Sequence, residues 1–139
     1  SLRDHRHAFF AAQGAAEGEA ERHAPLWRLS VPAATGPIDL PGTQLVEWGG
    51  ALRWYRPSAE AIAALSGKAP AVPATAAQAL RERIAALGGT ATLFRADEAH
   101  ADVLRFHPLA PVNLQIHQRL KQAFDPRGLI NHGRMYPGL

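Results

Sequence analysis

Cysteine is absent from the 139 residues, which removes disulfides, thiol catalysis and cysteine-held zinc or iron–sulfur clusters. Methionine occurs once, as Met135, and the first residue is Ser1. A natural reading frame starts with methionine, so the sequence is expected to be cut from a longer one. No apolar run reaches the roughly eighteen residues of a membrane-spanning helix, and the first residues lack the order of a secretory signal. Lysine is scarce, two against thirteen arginines, and the arginines are scattered from Arg3 to Arg134. With a net charge of only +3, nothing resembles the basic runs that hold nucleic acid. Glycine-rich phosphate loops, the Gly-x-Ser-x-Gly elbow and close carboxylate pairs are also missing. Seven histidines are present, but His5-x-His7 lacks a third ligand nearby and there is no His-Glu-x-x-His, so no metal site is expected.

What is present is enough for a packed domain: 47% hydrophobic against 19% charged residues. Residues 1–25 form the least decided stretch. Leu2, Phe9, Phe10 and Ala12 can give a helix an apolar stripe, and Gly14 and Gly18 weaken its continuation. Residues 26–139 are read as one domain. Leu26–Val31 alternates as a strand, with Trp27, Leu29 and Val31 on one side and Arg28 and Ser30 on the other. Gly49-Gly50 between two alternating runs signals a hairpin. A two-residue turn would oppose Glu47 with Leu52 and Leu45 with Trp54. A bulged turn would shift the register by one and gather Val46, Trp48, Leu52 and Trp54 on one face; this more apolar arrangement is the favoured one.

Ser58–Leu65 reads as a short helix closed by Gly67, followed by a linker over Ala69–Ala74. Thr75-Ala76-Ala77-Gln78 has capping-box spacing ahead of a helix that turns Ala77, Leu80, Ile84 and Leu87 inward. Thr90–Phe94 is a further strand, and Leu104–Phe106 is a candidate for another. Pro111–Phe124 makes the last helix, expected to bury Val112, Ile116, Leu120 and Ala123 or Phe124. Mixed strands and helices without βαβ alternation point to an α+β fold, a small antiparallel sheet with helices packed on one face.

The closing residues carry the most information. The last helix meets Asp125-Pro126, where the proline ends it; Gly128 and Gly133 then allow two sharp turns around the apolar pair Leu129-Ile130. Lys121, Phe124, Asp125, Pro126, Gly128, Asn131, Gly133 and Arg134 match the C-terminal signature of FAD-linked oxidases of the vanillyl-alcohol oxidase type. His132 stands where that signature usually has proline, which makes the turn less rigid. Leu26–Pro32, Glu47–Trp54 and Phe106–Leu109 resemble one branch in particular, the FAD-binding subunit of bacterial glycolate oxidase.

That resemblance implies a ferredoxin-like cap domain whose FAD is bound mainly by an N-terminal domain outside this sequence. It implies oxidation of a 2-hydroxy acid, glycolate to glyoxylate, in a cytoplasmic assembly or one peripheral to the inner membrane. A second flavin-linked subunit and an iron–sulfur subunit would be its partners. Asn131 and Arg134 would lie near the flavin, as an amide donor and a cation respectively. His107 would sit on the side facing the active-site cleft, to bond a substrate carboxylate or shuttle a proton, unless it fixes its own turn. Among Arg28, Arg53 and Arg56, which lie on strands near tryptophans, Arg28 and Arg56 are the candidate carboxylate partners; stacking on indoles is the alternative fate. The isolated chain would be inactive. The rival reading is a stand-alone docking module, with Trp48, Trp54 and Leu129-Ile130 as an apolar patch.

Overall fold

The computed structural model describes residues 7, 9–10, 25–67, 73–96 and 98–139. Its chain divides into two compact units, Ser1–Val103 and Leu104–Leu139. The first contains strands β1 (Leu26–Ser30), β2 (Gly42–Glu47), β3 (Leu52–Pro57) and β4 (Thr90–Arg95), with helices α1 (Ala59–Ser66) and α2 (Pro73–Ala86) between β3 and β4. The second contains helix α3 (Pro111–Phe124) and the residues after it. Among the described residues, no helix is long and apolar enough to cross a membrane.

The sheet order is β2-β3-β1-β4, every pair antiparallel, so the expected α+β arrangement is present. Alternation along β1 divides the sheet into two faces, as read from the sequence. On one face Trp27, Leu29, Tyr55, Ala91 and Leu93 pack against Ala77, Leu80 and Ile84 of α2, with Leu65 of α1 beside them. The connection after β1 adds Ile38 and Leu40 to this core. Tyr55 is wholly buried and donates its hydroxyl to the Pro41 carbonyl at 2.8 Å. Burial pushes its pKa up to about 12, because the phenolate would lose its water. Arg81 enters the same core with its guanidinium 5.4 Å from the Trp27 ring centre, and burial lowers its pKa. Gly89 sits so close to β1 that a Cβ would lie 2.4 Å from the Ser30 carbonyl oxygen, which leaves glycine as the residue that fits.

The opposite face is covered differently. Leu26 and Trp54 are buried there beneath Phe9 and Phe10. Phe10 meets the Trp54 ring edge-on at 5.1 Å, and Phe94 does so at 5.0 Å. The rest of the expected N-terminal helix lies outside the described residues.

Three local expectations are corrected. The hairpin takes the direct register, Glu47 opposite Leu52 and Leu45 opposite Trp54, rather than the bulged one. Apolar count did not decide it, because the polar residue on that face finds a partner: the Glu47 carboxylate accepts from Trp54 Nε1 at 2.5 Å. Trp48 is left 81% exposed, with φ at 51°. Helix α2 begins at Pro73, not after Thr75, so no capping box forms. Proline suits the first helical position, where its missing N–H has no intrahelical partner anyway. Gln78 instead donates to Glu82 one turn on, at 2.7 Å. Leu104–Phe106 is irregular, not a strand. Helix α1 forms as expected, capped by the Ser58 side chain accepting from the Ala61 N–H and closed by Gly67 in the left-handed region.

Candidate functional site

Helix α3 starts on Pro111 and ends at Asp125, whose φ of −141° leaves the helical region ahead of Pro126. The Asp125 carboxylate then gathers the residues that follow. Its Oδ1 accepts from the Leu129 N–H at 2.9 Å, and its Oδ2 accepts from the Ile130 N–H at 2.9 Å and from Lys121 Nζ at 2.5 Å. Lys121 also donates to the Ile130 carbonyl. The Lys121 hydrogen bond first, and the two backbone N–H groups after it, hold the Asp125 carboxyl down at about 2. Gly128, at φ 64°, lets the chain turn back tightly enough for these bonds to close.

Beyond the clamp, Asn131 takes φ 49°, a left-handed conformation that asparagine tolerates better than most residues. Its carbonyl accepts from the Arg134 N–H at 3.2 Å. Tyr136 packs its ring against Phe106 at 5.7 Å and against His117 at 6.3 Å. The result is a mostly apolar open groove of about 320 Å³, lined by Lys121, Phe124, Ile130, Asn131, Met135 and Tyr136 among others. Polar groups enter it at Asn131, Tyr136 and the Lys121–Asp125 pair.

The residues singled out in the sequence fall into two groups, one in each unit. In the C-terminal unit, Asn131 lines the groove, Arg134 is exposed, and His107 is half-buried next to the Phe106 ring that touches Tyr136. In the sheet unit, Arg28 lies opposite Trp54 and points away from the helices, exposed. Arg56, on the same face, places its guanidinium 5.3 Å from the Phe9 ring centre and reaches the Phe10 carbonyl at 3.5 Å. Arg53 is buried on the other face and bonds the Thr35 and Gly50 carbonyls at 2.5 and 3.3 Å, tying the hairpin loop to the β1–β2 connection. Its work is structural.

The stripe expected to face inward on α3 does not. Val112, Ile116, Leu120 and Phe124 are all exposed, Phe124 at 83%. Helix α3 instead turns His117 and Lys121 toward the closing residues. Trp54 is buried and cannot belong to an exposed patch, whereas Trp48, Leu129 and Ile130 are exposed. Among the described residues, no group of three or more His, Asp or Glu side chains could hold a metal. His5 lies outside them, and His7 Nδ1 accepts from the Phe9 N–H at 3.2 Å.

Sequence reasoning did not foresee the roles of Asp125, Tyr136 and His117. One signal was available: Lys121 and Asp125 stand four apart across a helix end, within reach of each other. An aspartate ahead of Pro-x-Gly is also a common turn former through its own side chain. Nothing comparable marked the aromatic contacts of Tyr136, which depend on the path of the backbone.

No family model matches the chain, and no solved structure matches it. Among curated proteins it is similar to glycolate oxidase subunit GlcE of Escherichia coli (strain K12), at 37% identity over 139 residues. The match takes in 99% of this chain and 31% of that subunit, so the chain spans about a third of its relative's length. The resemblance read from separate segments of the sequence therefore extends along the whole chain.

Proposed function

We propose that this chain is the cap portion of an FAD-dependent 2-hydroxy-acid oxidoreductase, a glycolate oxidase that converts glycolate to glyoxylate. The observation that carries this reading is the 37% identity to a glycolate oxidase subunit along 99% of the chain. The groove suits one part of such a cofactor. At about 320 Å³ it lies at the small end of ligand clefts, with room for a ring edge rather than a whole dinucleotide. That agrees with most of the FAD being held by an N-terminal domain of the same protein.

The chemistry supplied by the bound cofactor is acceptance of hydride from the carbon that bears the substrate hydroxyl. This chain's own residues bind and orient. Asn131 offers an amide donor to a ring carbonyl, and Arg134 offers a cation to the ring edge or the pyrophosphate. Arg28, Arg56 and His107 are the candidates for the substrate carboxylate. Arg28 is the more available of the two arginines, because Arg56 is already engaged by Phe9 and Phe10. The apolar groove wall excludes water from whatever edge it covers. Electrons would leave through an iron–sulfur subunit, alongside a second flavin-linked subunit, in a cytoplasmic assembly or one held at the inner membrane by those partners. Separated from its N-terminal domain, the chain would not turn over substrate.

A second reading, a docking module without catalysis, draws on the exposed Trp48, Phe124, Leu129 and Ile130. One experiment separates the two. The intact subunit is purified with its partners, and its visible spectrum is recorded anaerobically before and after glycolate is added. A flavin spectrum that bleaches on addition is expected. Full-length protein without flavin, or with flavin that glycolate leaves oxidised, overturns the oxidase reading.

A further inference from the structure

We infer that Lys121 and Asp125 act as a positioning pair, a clamp that sets the backbone of Asn131 and so aims its amide; the cofactor part of this rests on the oxidase reading above. Asp125 sits directly after the C-terminus of α3, where the helix dipole presents its negative end and disfavours a carboxylate. The placement is tolerated because both carboxylate oxygens are occupied by donors: the Leu129 and Ile130 N–H groups from beyond the helix and Lys121 Nζ from its last turn. Lys121 closes the loop from the other side by donating to the Ile130 carbonyl. Both the N–H and the C=O of Ile130 are therefore held from the last turn of α3, and the next residue is Asn131 at φ 49°.

The arrangement has two consequences. The peptide plane entering Asn131 is pinned by charge-assisted bonds, which are shorter and stronger than neutral ones, rather than by burial, since Leu129 and Ile130 are exposed. The Lys121 ammonium is also committed to Asp125 and Ile130, so the arginines this segment leaves exposed to an anionic ligand are Arg127 and Arg134. Lys121 and Asp125 do their work through Asn131 without touching the ligand themselves.

The test uses the full-length subunit with D125A, D125N, K121A, K121R and N131A, read by amide hydrogen exchange and by the flavin spectrum and reduction potential. In D125A and K121A, amides over residues 129–131 are expected to exchange about tenfold faster or more, while those of β1 and β3 stay unchanged. D125N, which keeps one good acceptor oxygen, should fall between D125A and the parent. K121R, which keeps the charge and the donors, should restore most of the protection. The flavin potential should move in D125A and K121A in the same direction as in N131A. Unchanged exchange over 129–131 in both D125A and D125N overturns the clamp. Faster exchange, together with a potential that shifts in N131A but in neither clamp variant, overturns the positioning role. A potential unmoved in N131A removes Asn131 as a cofactor contact and sinks the oxidase part, while the exchange result still decides the clamp.

Discussion

The two units of this chain are held together by different forces. In the sheet unit, side chains from β1, β3, β4, α2 and the connecting loop are sealed from water, with Leu29, Tyr55, Ile84 and Ala91 wholly buried. In the C-terminal unit no residue from Leu104 to Leu139 is buried, and Phe124, Leu129, Ile130 and Met135 are exposed. Shape there comes from proline and glycine turns, the Asp125 clamp and the ring contacts of Tyr136. Hydrophobic burial makes a sheet unit that should resist substitution only outside its core. A unit held by polar closure should instead respond to charge and barely notice changes in its apolar stripe.

The sharpest way to break that contrast is to make cavities. Leu29→Ala in the sheet core should cost about 2–5 kcal/mol, read as a fall in the urea midpoint with little change in slope. A cost no larger than that of a surface change would mean that the packed face is not the source of stability.

Acid should separate the units next. Asp125 has its carboxyl depressed to about 2 from an ordinary 3.8. For a depressed carboxyl, the stabilisation is fully present above the unfolded-state value and is lost as pH falls through the folded-state value. The Leu129 and Ile130 amide signals should therefore hold steady down to about pH 3 and move through a midpoint near pH 2, following a single carboxyl titration. Movement centred on the ordinary value would show that the clamp is not closed in solution.

The smallest effect is expected on α3. Ile116→Ser, on the exposed stripe, should change the stability of the isolated chain by less than about 0.5 kcal/mol. The same substitution type at Leu29 should be many times costlier. Equal costs at the two sites would erase the distinction between the units.

Much of the sheet unit was legible in the sequence because its signals are local and repetitive. Alternation along Leu26–Ser30, Ser58 and Gly67 around α1, and Ala77, Leu80 and Ile84 on α2 each report a burial pattern that the chain carries by itself. The hairpin register was misread because counting apolar residues leaves out polar complementarity; Glu47 joins that face by bonding the Trp54 indole. The α3 stripe was misread for a related reason. Periodicity shows that a helix has an apolar side but not what lies against it, and here Val112, Ile116 and Leu120 lie exposed. In the candidate site, Asn131 and Arg134 stood out because the closing residues resemble the C-terminal signature of FAD-linked oxidases. Asp125 did not, because its role requires the chain after Gly128 to double back and present two N–H groups.

The sequence alone determined where most elements lie, which side of β1 is apolar, and that a helix ending at Asp125-Pro126 runs into two glycine turns. Backbone angle preferences and hydrophobic period are properties of neighbouring residues, so they survive without a third dimension. Only the tertiary structure decided that Tyr55 reaches Pro41, that Phe9 and Phe10 cover Trp54, and that one carboxylate holds the turn that carries Asn131. Those outcomes rest on hydrogen bonds and ring contacts between groups that meet through the path of the backbone, and distance in space is not written in distance along the chain.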